Sequence, residues 1–162
     1  MTDEAGALAI LADIEHPLAD TAIADFYEKW KSNMLVMMKW FSVQALSSRT
    51  ATLDTVIRLE RDPAFDVRVP NLVRSLTGAF AQNAVRFNDA GGRGYEYVAE
   101  RIIDLDSFNP SMSSMLAKSF KLYNRVDLHR RERMKEVLER VLNVGSLSKN
   151  AYEIVSKTLN SG

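Results

Sequence analysis

Apolar residues recur at intervals of three and four along almost the whole chain, and this spacing limits the fold more than any other feature. One face of an α-helix repeats about every 3.6 residues, whereas a half-buried strand alternates every two. Few stretches alternate in this way. The spacing therefore predicts an all-α protein.

Turn-forming and capping residues divide the pattern into helices. Prolines suited to a first helical turn and side chains able to cap a helix start stand at Pro17, Ser32-Asn33, Asn109-Pro110, Asp127 and Ser148. The segment Asp66–Pro70 is predicted to be irregular. A helix from Asn71 is predicted to run toward the turn Gly91-Gly92-Arg93-Gly94. We expect about eight or nine helices.

Short loops between helices of ordinary length favour antiparallel pairs stacked on one another. The sequence shows no strict tetratricopeptide or ankyrin repeat, so the repeat is irregular. We predict a single helical domain over residues 1–162, built as an irregular superhelix of the HEAT or armadillo kind.

Composition excludes several classes of function. The 162 residues include 46% apolar and 26% charged residues, as in ordinary globular domains. Lys and Arg together number 21, as do Asp and Glu, so no net charge attracts nucleic acid or an anionic membrane. The absence of cysteine excludes thiolate chemistry and cysteine-bound metals.

The amino terminus carries acidic residues where a secretory signal would be basic, and no apolar run reaches the roughly 18–20 residues of a membrane span. We therefore expect a cytoplasmic protein that does not enter a membrane.

Neither histidine forms a recognisable metal or catalytic motif. His129 stands one and two helical turns before Glu132 and Glu136, a pattern more typical of a solvated charged face than of a metal site. His16 precedes Pro17 and is predicted to be a loop or helix-entry residue rather than an acid–base catalyst. The sequence therefore predicts no metal site and no complete catalytic site.

Three other patterns have simple structural interpretations. The glycine turn at residues 91–94 is not preceded by a strand, as a phosphate-binding loop requires. The basic cluster around Arg130 is interleaved with acidic residues at ion-pair spacing. The aromatic residues are predicted to fill a core, and they are Phe26, Tyr27, Trp30, Trp40 and Phe41.

Arg74 is the best candidate site residue. It lies near the start of a helix that is otherwise apolar and small, in the segment 70–80. A guanidinium there serves either as a surface or capping contact or as a ligand for a peptide carbonyl or carboxylate.

Several of these segments together resemble one known family. The matching residues are Phe26-Tyr27-x-x-Trp30, Leu35-Val36-Met37-Met38-Lys39-Trp40-Phe41-x-x-Gln44-Ala45, Asn71-x-x-Arg74-Ser75-Leu76-x-Gly78-Ala79-Phe80, Gly94-Tyr95 and Asn109-Pro110. Their order and spacing, from about Ala7 to the end, resemble the carboxy-terminal helical domain of bacterial-type aminopeptidase N.

The resemblance implies a fragment, the later part of a helical lid over the cavity of a thermolysin-related zinc aminopeptidase. The lid would restrict access to short peptides. The zinc and the catalytic residues would belong to other domains, so this chain alone would be inactive. Its partners would be the catalytic domain of the same polypeptide and the peptide substrate, and the parent would be a monomer. Arg74 matches an arginine that faces the cavity in the family.

Three positions depart from the family pattern. Met38 replaces a usual Asp, Met115 replaces an Arg that would line the cavity, and Asp106 replaces a common Asn. As a fragment, the chain would expose Leu8, Leu11 and Ile14 and self-associate. The alternative from another class is a free-standing helical-repeat module that binds a protein or peptide.

Overall fold

The computed structural model describes residues 2–161, with side chains from Glu4 onward. Within these residues there is no β-strand, and the prediction of an all-α fold with eight or nine helices is confirmed. The nine α-helices are α1 (Thr2–Ala12), α2 (Pro17–Trp30), α3 (Met34–Ala45), α4 (Thr52–Leu59), α5 (Pro70–Val73), α6 (Arg93–Asp106), α7 (Pro110–Ala117), α8 (Leu128–Leu142) and α9 (Lys149–Asn160).

Local hydrogen bonds explain most helix starts. A side chain accepts a backbone N–H of the first turn at each of the predicted caps, which are Asn33, Asn109, Asp127 and Ser148. His16 caps α2 in the same way, because its Nδ1 accepts the N–H of Leu18 at 3.1 Å. Such a cap satisfies a donor that the helix itself leaves unpaired. The predicted helix-entry position of His16 is confirmed.

The chain divides into two compact units, of which unit 1 ends at Arg86 and unit 2 begins at Phe87. In unit 1, α3 packs against α1, α4 and a wide π-helical turn, Arg74–Gly78, that follows α5. Phe41 of α3 is fully buried and makes edge contacts with Trp40 at 5.2 Å and Phe65 at 5.7 Å between ring centroids. Helix α3 therefore forms the centre of this core.

Polar side chains also hold the loops of unit 1 together. The buried Asn83 donates from Nδ2 to the carbonyl oxygens of Ala45 at 3.1 Å and Ser47 at 2.8 Å. The hydroxyl of Ser47 donates to the carbonyl of Ala12 at 2.7 Å. These bonds satisfy the carbonyl groups at the ends of α1 and α3, which would otherwise be buried without a hydrogen-bond partner.

In unit 2, α6 packs against α7 and α8, and α9 packs against α7, α8 and a 3-10 helix, Lys118–Arg125. Phe87, Tyr95 and Phe120 form an aromatic cluster with centroid distances of 5.1 to 6.1 Å. The Tyr95 hydroxyl donates to Oδ1 of Asn88 at 3.1 Å. Burial raises the pKa of Tyr95 to about 12, because the phenolate would lose its hydration.

Asp106 fastens the end of α6 to the start of α9. Its carboxylate accepts the backbone N–H of Ser148 and, at 2.7 Å, the hydroxyl of Ser148. A negative charge at a helix amino terminus is favourable, because the unpaired N–H groups there carry partial positive charge. The Asp that departs from the family pattern thus has a structural role.

Two local expectations were wrong. Leu8 is buried rather than exposed, and Leu11 is half-buried, because this side of α1 packs against α2 and α3. Only Ile14 of the three is exposed. The helix from Pro70 ends at Phe80 instead of continuing toward the glycine turn. Asn83 ends it, since its Oδ1 accepts the N–H groups of Val85 and Arg86 and forms a turn.

Arg93 and Gly94 belong to α6, and the turn before them closes at Gly92, whose φ of 74° lies in the left-handed region. The predicted irregular segment between α4 and α5 is confirmed. In the described part of the chain, no helix has the length and apolar character needed to cross a membrane.

Candidate functional site

Arg74 lies at the start of the π-helical turn in unit 1. The chain enters this turn through Pro70, whose ring suits the first position of α5. Ser75 donates its hydroxyl to the carbonyl of Asn71 at 2.7 Å, a bond that competes with the regular helical pattern. A π-turn is rare, and such turns occur often at functional sites. The predicted site residue therefore stands in an unusual backbone segment.

The Arg74 side chain is exposed, and one of its five donors is engaged. Nη1 donates to Oδ1 of Asn71 at 3.0 Å, one helical turn earlier. This bond orients the guanidinium along the helix surface. A planar guanidinium held in this way can still offer a donor pair to a carbonyl or carboxylate.

An open groove lies beside the π-turn, between α1 and α3. Its volume is about 580 Å³, within the range of small-ligand sites. Its lining residues are Ala5, Leu35, Met38, Lys39, Ser42, Val43 and Ser75. The Ser42 hydroxyl donates to the carbonyl of Ser75 at 3.0 Å and so ties α3 to the turn. We call this cavity the α3 groove.

The α3 groove is mainly apolar, with one ammonium group from Lys39 and two hydroxyls among its lining residues. Met38, where the family pattern has Asp, is part of its wall. The replacement removes a carboxylate from the groove and adds apolar surface. The arrangement suits apolar groups next to a cation.

A second, smaller cavity of about 250 Å³ lies in unit 1 around Arg49. Arg49 donates from Nη1 to Asp20 at 2.7 Å and from Nη2 to the carbonyl of Leu11 at 3.2 Å. Its side chain is 17% exposed. Sequence reasoning missed this residue, since both partners lie about thirty or more positions away. This geometry indicates that Arg49 links its loop to α1 and α2 and that it is not a ligand-binding residue.

Unit 2 contains a polar cavity of about 480 Å³ lined by side chains of α7, the 3-10 helix and α9. Met115, which stands where the family pattern has an arginine, is part of this lining. Lys118 supplies an ammonium group there, and Glu153 pairs with Lys157 at 2.5 Å. Whether the loss of an arginine at this position changes a substrate contact stays a prediction.

The histidines are not brought together with other ligands. Nε2 of His129 lies 3.1 Å from the carbonyl oxygen of Ala90, and Glu136 pairs with Arg133 at 3.4 Å. Between Thr2 and Ser161 no three His, Asp or Glu side chains are placed to hold one metal ion. The charged residues of α8 form surface pairs, such as Arg130 with Asp127 at 2.6 Å.

The aromatic residues of α2 and α3 are mainly core residues, as predicted. Phe26, Trp40 and Phe41 are buried, and Tyr27 and Trp30 are half-buried. The indole Nε1 of Trp40 donates to the carbonyl of Ile23 at 3.0 Å and joins α3 to α2. These buried rings are unavailable for stacking on bases.

The described residues form helices without strands, and within each unit the helices stack on one another, for example α2 on α1 and α7 on α6, as in a helical-repeat protein. The family described as "Domain of unknown function (DUF3458_C) ARM repeats" matches residues 1–160. The chain belongs to this family.

Three curated relatives are named aminopeptidase N. The protein from Escherichia coli is 37% identical over 160 residues, and those from Haemophilus influenzae and Caulobacter vibrioides are each 34% identical. Each match covers 98% of this chain and 18% of the relative. The chain thus spans less than a fifth of the length of these relatives.

A solved structure, Legionella pneumophila aminopeptidase A in complex with aspartic acid, is also similar. Its sequence is 33% identical and its TM-score is 0.94, over 100% of this chain and 19% of that one. The resemblance inferred from the sequence motifs is confirmed by these relatives.

Proposed function

We propose that this chain is the carboxy-terminal helical lid domain of a zinc-dependent aminopeptidase N. In this role it covers the active-site cavity and admits short peptides, from which the catalytic domain removes the amino-terminal residue. The match of 160 residues to aminopeptidase N from three bacteria carries the proposal.

The catalytic metal belongs to another part of the polypeptide in this proposal. Catalytic zinc sites take three protein ligands, drawn from His, Glu, Asp or Cys. Over residues 2–161 no group of three such side chains is placed to bind one metal ion. The described residues do not fit zinc, so we assign this chain the positioning of substrate and the exclusion of large molecules.

Arg74 and the α3 groove provide the peptide contact. The groove takes apolar side chains, and Arg74, adjacent in sequence to the groove residue Ser75, donates to a peptide carbonyl or carboxylate. Such interactions orient a substrate before reaction, which lowers the entropy cost of reaching the transition state. Large folded proteins would be excluded by the helices around the cavity.

The intact polypeptide, expressed from the natural gene, allows a direct test. Arg74→Ala should lower kcat/KM for short peptides by about 10- to 100-fold, the equivalent of one lost charge-assisted hydrogen bond. Arg68→Ala is the matched control, since Arg68 is exposed in the loop just before α5 and lines none of the cavities described above. Steady-state kinetics would measure both variants.

Equal kcat/KM values for Arg74→Ala and Arg68→Ala would mean that Arg74 is a surface residue without a substrate contact. The lid assignment has its own test with the 162-residue chain, which should bind no stoichiometric zinc and release no product from alanyl-anilide substrates. Zinc-dependent turnover by this chain alone would contradict the proposal.

The α3 groove also favours a second candidate, a free-standing helical-repeat module that binds a protein or peptide. The two candidates differ in gene structure. A native reading frame that extends upstream of Met1 into a zinc-binding domain supports the lid, whereas a frame that begins at Met1 supports the module.

A further inference from the structure

Helix α1 is apolar on every side. From Ala5 to Ala12 it contains only Ala, Gly, Leu and Ile. One side, with Leu8 and Ala12, is buried at 3% and 2% exposure against the rest of unit 1. A helix that is apolar all round is normally buried all round, because its other side gains nothing from contact with water.

The opposite side of α1 is exposed. Ile10 is two residues from Leu8, or about 200° around the helix, and its side chain is 69% exposed. Gly6, Ala7 and Ala9 are also exposed, as is Ile14 just beyond the helix. We call these five residues the outer face of α1.

Gly6 adds an independent observation. A glycine inside a helix costs about 0.5 to 1 kcal/mol relative to alanine. A Cβ at this position would meet no atom within 4 Å, so nothing inside this chain requires a glycine there. Glycine does allow another backbone to approach closely.

Repeat proteins give these features a common explanation. Each repeat buries its apolar sides against its neighbours, and a terminal repeat needs a polar outer side. Helix α9 has such a side, because its exposed residues apart from Tyr152 are polar, namely Lys149, Asn150, Glu153, Lys157 and Asn160. The outer face of α1 is apolar, and it therefore has the composition of an internal repeat.

We propose that the outer face of α1 is covered by a helix of the preceding repeat in the same polypeptide. This inference rests on the proposed function in one respect, that the chain is a section of a longer polypeptide. The curated relatives support a longer polypeptide, since the chain covers only 18% of each of them. The incoming helix presents small and aliphatic side chains to Gly6 and Ile10.

The test compares the 162-residue chain with the longer polypeptide encoded by the natural gene, using hydrogen exchange in α1. In the short chain, Gly6→Ala should raise protection about fivefold, because alanine is the better helix former. In the longer polypeptide the same change should lower protection, because the added methyl group keeps the neighbouring helix away.

Ile10→Lys supplies a second measurement with a matched control. It should leave protection of the short chain within twofold, since Ile10 is already exposed, and lower protection of α1 in the longer polypeptide at least tenfold. Leu128→Lys in unit 2 is the control, because Leu128 is also 69% exposed. It should stay within twofold in both forms.

Equal effects of the variants in the short and long forms would overturn the proposal. So would a reading frame that begins at Met1. Self-association of the short chain that Ile10→Lys abolishes, without any effect in the longer polypeptide, would assign the face to a second copy instead. A longer polypeptide that lacks peptidase activity but protects α1 would refute only the proposed function, because the exchange measurement requires no turnover.

Discussion

Units 1 and 2 place their exposed apolar side chains differently. In unit 2 these side chains are scattered, one or two to each helix or loop, as with Phe108, Leu122 and Leu128. In unit 1 some of them are neighbours, with Met34 and Leu35 at the start of α3 and Ile10 and Ile14 on and just beyond α1, while others are isolated, such as Leu18, Leu46, Val67 and Val85. Isolated exposed apolar residues are normal, whereas neighbouring ones indicate a contact surface.

The difference separates two physical roles. Unit 2 joins α6 to α9 through a polar group, the Asp106 carboxylate, and the outer side of α9 is mainly polar. Unit 1 leaves apolar surface at the α3 groove and at the outer face of α1. We infer that these two surfaces of unit 1 are built to be covered, whereas the outer side of α9 is built to face water.

The largest expected effect concerns the polar bonds within unit 1. Asn83→Ala should lower the free energy of unfolding by about 2 to 4 kcal/mol, because the carbonyl of Ala45 and two turn N–H groups lose the hydrogen bond from Asn83 and the carbonyl of Ser47 keeps only the Thr52 hydroxyl. Denaturant unfolding followed by circular dichroism measures the change. Gln82→Ala, at the exposed neighbouring position, should change it by less than about 0.5 kcal/mol. A small effect of Asn83→Ala would mean that apolar packing alone holds unit 1.

A pH titration tests the buried aromatic cluster of unit 2. The pKa of Tyr95 is raised to about 12, above the roughly 10 of an exposed tyrosine. Burial of the neutral Tyr95 hydroxyl therefore contributes fully to stability below pH 10. This contribution is lost as the pH rises toward 12, because the tyrosine ionises first in the unfolded chain. Two pKa units correspond to a loss of about 2 to 3 kcal/mol.

Tyr95→Phe should remove this part of the alkaline loss, measured as the free energy of unfolding at pH 9 to 12. The difference from the wild type isolates Tyr95 from Tyr27, whose pKa burial and Asp62 also raise. Tyr152→Phe is the control, since this side chain is 54% exposed. The same alkaline slope in Tyr95→Phe and the wild type would place Tyr95 in contact with water.

The smallest expected effect on stability distinguishes the two surfaces directly. Leu35→Glu and Leu128→Glu replace leucines that are equally exposed, each in the first turn of a helix. Both should change the free energy of unfolding by less than about 0.5 kcal/mol. Leu35→Glu alone should reduce binding of the dye ANS, because only Leu35 lines the apolar groove. An equal reduction by Leu128→Glu would remove the distinction between the units.

The sequence proposes site residues only from near neighbours. Its own segment makes Arg74 a candidate, and this role stays a prediction; the structure places Arg74 in the π-turn next to Ser75, which lines the α3 groove. The groove itself could not be predicted, because Ala5, Met38 and Ser75 come from distant positions. Arg49 was missed for the same reason, since its partners on α1 and α2 lie far away in the chain.

The local sequence suffices to predict the all-α fold and the starts of α3, α7, α8 and α9. Caps such as Asn33, Asn109 and Asp127 act through hydrogen bonds within three residues, so their effect depends only on the local sequence. Only the tertiary structure decided which side of α1 is covered, because a helix apolar all round gives its neighbours no preferred face. It also decided where the helix after Pro70 ends, since Asn83 combines a local turn with bonds to Ala45 and Ser47. Bonds between residues far apart in the chain form only when packing brings them together.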